Sequence, residues 1–221
     1  MEVFETVTTR RSIRKFRPDP VPEELLREIL EAARWSPSWG NTQAWEIAVI
    51  TGDALERFRT ANRQKFLDKI VPDTDTPIPM VWPDLHKQRY QGIGKKVLTA
   101  LSIARGDLEG RIRYGSDMAS FFGAPCVLLF CADKSLSREY AMLDIGAILQ
   151  TVCLLAHARG LGSCILAASI HYPALIREII PIPETQAIII GAAIGYPDTE
   201  APVNQFARDR ENLDEITTWF Q

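Results

Sequence analysis

Hydrophobic and polar positions follow two different rhythms along this chain. From Pro22 to Trp35, the residues Leu25, Leu26, Ile29, Leu30 and Ala33 recur at three- and four-residue intervals and so share one helical face. Pro22 suits the first turn, Glu23 and Glu24 favour the positive end of the dipole, and Ser36-Pro37 ends the pattern. Trp45 to Thr51 alternates and is β-branched, which predicts a strand. Asp53 to Ile70 and Asp84 to Ala104 predict two more helices, the second weakened by Gly92 and Gly94. Between them, Val71 to Pro83 carries four prolines, which forbids regular structure and suggests a lid or crossing segment.

Farther on the apolar runs become continuous. Cys126 to Ala132 and Gln186 to Ile194 do not alternate, so both predict strands covered on two faces. Glu139 to Arg159 predicts the longest helix, apolar almost all round, with Gly160 as its stop. Such a helix belongs in the core centre or against another subunit. Ser163 to Ser169 predicts a short strand and turn of small residues, and Pro173 to Ile180 a short helix. Past Tyr196-Pro197-Asp198 the chain is polar and extended until Ile216, Trp219 and Phe220, an apolar anchor on a polar arm.

At 221 residues these elements fit one domain, with the arm occupying about 197–221. The formal net charge of −3 and pI of about 5.7 exclude the broad basic surface that nucleic-acid binding needs. Cys126, Cys131, Cys153 and Cys164 lie in apolar runs without metal-ligand spacing and read as reduced core thiols. The apolar run from Ala141 to Ala156 is short for a membrane span and contains Asp144 and Gln150. With no leader of signal type at Met1, the expectation is a soluble cytoplasmic protein with no membrane partner.

Against that acidic background, local basicity stands out. Arg10, Arg11, Arg14 and Lys15 surround Ser12, just before Pro18 and Pro20. Arg208 and Arg210 flank Asp209 at the far end of the chain. Guanidinium forks at both ends of one domain suggest a single dianionic ligand gripped from two sides. The loop Ser38-Trp39-Gly40-Asn41-Thr42-Gln43 mixes small, amide and aromatic side chains suited either to a flat heterocycle or to ordinary turns. Ala167, Ala168 and Ser169 would allow close approach to backbone. Two tempting motifs fail. Gly94-Lys95-Lys96 lacks the first glycine and the hydroxyl of a phosphate loop, and Gly160-Leu161-Gly162 follows a helix and lacks a third glycine. His86, His157 and His171 stand in no motif with an acid or nucleophile and read as structural, His171 being the one that could border a pocket.

Taken together, four pieces in order resemble the nitroreductase family of FMN-dependent oxidoreductases. They are Arg10-Arg11-Ser12-Ile13-Arg14-Lys15-Phe16; Ser36-Pro37-Ser38-Trp39-Gly40-Asn41-Thr42-Gln43-Ala44-Trp45; Phe122-Gly123-Ala124-Pro125 with Asp144-Ile145-Gly146 to Gly160-Leu161-Gly162-Ser163-Cys164; and Gly195-Tyr196-Pro197 with Arg208-Asp209-Arg210. The resemblance implies an α+β fold, a mixed β-sheet sandwiched by helices, in an intertwined homodimer with FMN at the subunit interface. It implies that Arg10, Arg208 and Arg210 hold the FMN phosphate, Ser12 the ribityl chain, and Arg11 contributes through side chain or backbone. Arg14 would lie near N1 and the C2 carbonyl of the ring. Pro37, Ser38, Trp39, Asn41 and Gln43 would come from the partner subunit or the ring edge, and Ala167, Ala168 and Ser169 match the segment whose backbone N–H faces flavin N5.

That segment departs from the Pro and Glu-Gly of well-known members, and Trp39 is bulkier than the small residue common there. The region 71–115, near Tyr90, would cover the flavin. The implied chemistry is ping-pong: NADH or NADPH reduces FMN, then a small electron-poor acceptor such as a nitroaromatic or quinone reoxidises it, with no catalytic side chain required. Other redox chemistry on the same fold (dehalogenation, dehydrogenation, flavin fragmentation) and a non-catalytic flavin-binding module are the alternatives.

Overall fold

A computed structural model describes residues 1–221. In chain order the elements are α1 (Val3–Thr9), α2 (Glu23–Ala33), β1 (Glu46–Ile50), α3 (Gly52–Leu67), α4 (Asp84–Ala100), α5 (Leu108–Ala119), β2 (Cys126–Asp133), α6 (Arg138–Ala158), β3 (Gly162–Ile165), α7 (Pro173–Ile179), β4 (Gln186–Gly195) and α8 (Leu213–Ile216). Short 3-10 turns occupy Trp39–Asn41, Phe121–Gly123, Ala167–Ile170 and Pro202–Asn204.

The four strands form one sheet in the order β1-β2-β4-β3. Its two central strands are the two continuous apolar runs, buried on both faces as their composition requires. Along β2 the pleat divides the residues. Cys126, Leu128, Phe130 and Ala132 meet α2 and α6 on one side. Val127, Leu129 and Cys131 meet Leu55 and Phe58 of α3 and Ile176 of α7 on the other. Helices thus sandwich the sheet. All three strand pairings are antiparallel, and the parallel component is one isolated bridge, Ser12 to Ser163.

Burial pushes the Cys126 and Cys131 thiols up to about 12 and Cys164 up to about 11, so these cysteines are protonated core residues. By length and composition α6 could cross a membrane, yet Ile145, Ile148, Leu149, Val152 and Cys153 are packed into the domain core. Its opposite side leaves Tyr140 and Leu143 exposed.

Two helices lie where no periodicity announces them. α1 is seven residues long and β-branched, with Thr6, Thr8 and Thr9 turning their hydroxyls back onto carbonyls of the preceding turn. α5 holds Gly110 and Gly115, poor helix formers that packing demands: a Cβ on Gly115 would sit 2.3 Å from Phe66 Cζ. Its start is capped by the Asp107 side chain, which accepts from Gly110 N at 2.8 Å. α4 stops at Ala100, short of the expected Ala104, because Ser102 adopts a positive φ of 57°. The proline-rich stretch is a crossing segment pinned to the sheet: Asp75 Oδ2 accepts from Ile188 N at 2.9 Å and pairs with Arg177 at 2.8 Å.

Candidate functional site

The basic segment lies along the edge of the sheet as an extended strap. Ile13 N donates to Ser163 O at 2.9 Å, and Arg17 N donates to Tyr196 O at 2.9 Å. Gly162 and Gly195 face each other in register where the strap crosses. A Cβ on Gly162 would stand 2.5 Å from Ile13 Cγ1, and one on Gly195 would stand 2.4 Å from Pro125 Cδ and 3.1 Å from Phe16. The glycines therefore set how closely the strap approaches.

Asn204, buried in the 3-10 turn after β4, staples the strap to the C-terminal arm. Its Oδ1 accepts from Arg14 N at 2.7 Å, while Nδ2 donates to Lys15 O and Asp198 O, each at 2.8 Å. Nothing local in the sequence marks this asparagine, because its two partners on the strap lie 190 and 189 residues earlier.

These contacts bring the two ends of the chain together. Arg208 donates to the carbonyls of Thr8, at 2.6 Å, and Arg10 at the C-terminal end of α1. Arg11 donates to Phe206 O. Burial, then the like charges of Arg11, Arg210 and Arg10, push the Arg208 guanidinium below its ordinary value. Arg10, Arg11, Arg208 and Arg210 make no ion pair with any carboxylate. Asp209, lying between two of them, pairs instead with Lys96 of α4. A second ion pair, Arg89 to Glu211 at 2.7 Å, ties the same helix to the arm.

A cavity of about 260 Å³ opens beside the strap, lined by Arg10, Arg11, His157, Ser163, Asn204 and Gln205 among others. In its wall the buried Arg10 Nε and Ser163 Oγ both lack a hydrogen-bond partner. The unopposed guanidinium groups of Arg10 and Arg11 and the orphaned polar atoms at this cavity fit a phosphate monoester, which brings negative charge and acceptor oxygens; Arg208 and Arg210 do not line it.

Next along the strap, Arg14 lies 5.9 Å from the Phe206 ring centroid. It also faces Tyr114, whose hydroxyl burial pushes up while Arg14 opposes the shift.

The remaining expected residues divide. Of the small trio, Ala167 alone is exposed. Ser169 is fully buried, its hydroxyl donating to Leu166 O at 2.6 Å, and a Cβ on Gly191 would fall 2.1 Å from it. Its side chain packs the sheet. Pro37, Ser38, Trp39, Asn41 and Gln43 form a separate, mostly exposed loop. Trp39 N donates to the buried Asp144 at 3.0 Å, and its ring meets Tyr140 at 5.3 Å. At 1.5 Å per residue, Asp144 is roughly 20 Å along α6 from His157, so one chain does not join this loop to the arginine cavity. His171 does not line that cavity, while His157, read as structural, does.

Likeness to known proteins agrees with this geometry. The nitroreductase family profile matches residues 7–196. The chain is 34% identical over 93% of its length to a 4-nitrobenzoate reductase of Pseudomonas putida, covering 89% of that protein. It is also 34% identical over 98% of its length to a chloronitrobenzene nitroreductase of Comamonas testosteroni, covering 96% of it. The solved FMN and NADPH-dependent nitroreductase NfnB of Sphigopyxis sp. strain HMH superposes with a TM-score of 0.95 at 32% identity, each chain fully covered. The NfnB of Mycobacterium smegmatis, solved with NADPH, gives 0.93 at 30% identity over 99% of this chain and 97% of that one. With the strap, the twin-ended arginine cluster and the sandwiched sheet all in place, the chain belongs to the nitroreductase family.

Proposed function

We propose that this chain is an FMN-dependent oxidoreductase that takes electrons from NAD(P)H and delivers them to small electron-poor acceptors, nitroaromatics foremost. The observation that carries the reading is Arg10 and Arg11, both without carboxylate partners, at a cavity whose wall holds two unpartnered buried polar atoms, with Arg208 bonded to the backbone of Arg10 beside them. Structural neighbours described as FMN and NADPH-dependent, and sequence relatives named for nitroaromatic substrates, support the same direction.

In this reading Arg10, Arg208 and Arg210 hold the FMN phosphate, with Arg11 closing the cavity through its bond to Phe206 O. Ser12 meets the ribityl chain. Arg14, kept on the strap by Asn204 and flanked by Phe206 and Tyr114, places its charge where electron density collects on the reduced ring. Ala167 and Ala168 offer backbone to the ring. When bound, FMN supplies the two-electron redox chemistry.

Pro37, Ser38, Trp39, Asn41 and Gln43 complete the site from a second copy of the chain. Exposed Val3, Phe4, Trp35, Trp39, Leu143, Trp219 and Phe220 are the surface such a homodimer would cover. Donor and acceptor then use one opening in turn, which gives ping-pong kinetics.

The test begins with the visible spectrum of protein purified with added FMN. NADPH or NADH should bleach it anaerobically, and 4-nitrobenzoate should restore the colour. Double-reciprocal plots at several acceptor concentrations should be parallel. A protein that stays colourless in excess FMN would falsify the reading.

A further inference from the structure

We infer that His157 is a phosphate-site residue whose uptake of a proton accompanies FMN binding, so that the protein holds its cofactor more tightly as pH falls. The inference rests on the FMN reading above and adds to it a residue and a pH dependence.

Geometry places the ring. His157 sits in the last turn of α6 and lines the same cavity as Arg10, Arg11 and Ser163. Its Nε2 lies 2.8 Å from Thr9 Oγ1. The Thr9 hydroxyl has one proton, and the strongest acceptor it meets is Glu5 O at 2.6 Å. Thr9 must then accept from His157, so Nε2 carries the imidazole proton and Nδ1 is the nitrogen that titrates.

Charge decides when it does so. From α1 the ring is faced by Glu5, from the strap by Arg10, and from the arm by Arg208. On its own helix Arg159 is paired with Glu28 of α2. Burial first, then Arg10 and Arg208, hold the imidazole below its ordinary range, outweighing Glu5, so near neutral pH it is uncharged. A phosphate dianion among those arginines offsets their repulsion and raises the ring's proton affinity. A group raised by a ligand adds affinity fully below its free-state pKa, and that gain disappears as pH climbs through its bound-state pKa. Since one charge-assisted hydrogen bond is at stake, the gain is about tenfold.

The experiment is a fluorescence-quenching titration with FMN, and in parallel with riboflavin, between pH 5.5 and 8.5. Wild-type protein is compared with His157→Gln, whose amide keeps a donor for Thr9 but cannot titrate. Expected is a wild-type FMN affinity that exceeds the variant's by about tenfold at low pH and converges with it at high pH. Riboflavin, which lacks the phosphate, should give parallel curves. Curves for FMN that run parallel in both proteins overturn the inference while leaving the FMN reading intact. FMN affinity unchanged in Arg10→Ala overturns the phosphate placement itself. Should His157→Gln not fold, NMR titration of the histidine ring protons decides instead: FMN should raise the pKa of one histidine, and no change in any of His86, His157 and His171 refutes the proposal.

Discussion

The two ends of helix α6 carry two pieces of machinery built in opposite ways. Near its C-terminus, the arginine cradle is cross-linked by side-chain bonds that span nearly the whole chain: Arg208 to α1, Asn204 to the strap, Arg11 to Phe206. Near its N-terminus, the Trp39 loop is tied back to α6 by a single bond from Trp39 N to Asp144. Its Gly40, Asn41 and Gln43 have positive φ, and Trp39 is 63% exposed. A cradle that must order several like charges needs its geometry paid in backbone bonds within one subunit. The aromatic loop, left exposed, is in the proposed reading completed by a second copy of the chain.

The hardest blow to the cradle should come from Asn204→Leu. The substitution leaves Arg14 N without its acceptor and removes one of two donors from Lys15 O and from Asp198 O, which keep the backbone bonds from Asp198 N and Ala201 N, so a loss on the order of 2–3 kcal/mol is expected in urea denaturation. FMN should be lost with it. A variant within 1 kcal/mol of wild type would mean that water replaces the staple and that the cradle is no more rigid than the loop.

Arg208→Ala tests charge with less damage to the fold. It removes one guanidinium from the cluster and the donors to Thr8 O and Arg10 O. FMN affinity should drop about a hundredfold while far-UV circular dichroism is unchanged. Retention of stoichiometric FMN would remove this arginine from the phosphate site.

How far such a site can be read in advance depends on distance along the chain. The strap, the arm's arginines and the two central strands were legible because each is a local pattern: a basic run, a charged triplet, an uninterrupted apolar stretch. α5 was not, since Gly110 and Gly115 disguise a helix whose reasons lie in Phe66 and Asp107. Asn204 and His157 were invisible for the same cause. Their partners are sequence-distant, and an isolated asparagine or histidine looks alike whether it staples a site or decorates a surface. Ser169 is a further case: its side chain packs against Gly191, a contact between distant parts of the chain that nothing local announces.

On the loop side, Asp144→Ala should release the Trp39 turn, leaving one N–H without its buried acceptor at about 1–2 kcal/mol. Trp39→Ala should do less to the subunit, since within the chain the ring touches mainly Tyr140. Both should shift the monomer–dimer equilibrium toward monomer in sedimentation velocity, by about tenfold or more in dissociation constant if the indole anchors the interface. A Trp39→Ala protein that dimerises like wild type would take the indole out of the subunit interface.

The smallest effect belongs to the contact that joins α4 to the cradle. Asp209 places a carboxylate between Arg208 and Arg210, where it would repel any phosphate, and Lys96 neutralises it while also donating to Ala207 O at 3.2 Å. Lys96→Met keeps the apolar stem and deletes the charge. Because both groups are partly solvated, FMN affinity should fall by only about threefold to fivefold at low salt, and the difference should shrink as ionic strength rises. Adding Asp209→Asn to the same protein should restore the affinity, since the stranded carboxylate is then gone. If Lys96→Met binds FMN as wild type does in dilute buffer, the arginines dominate the local potential unaided, and the contacts of α4 with the arm, the Arg89–Glu211 pair among them, serve the fold alone.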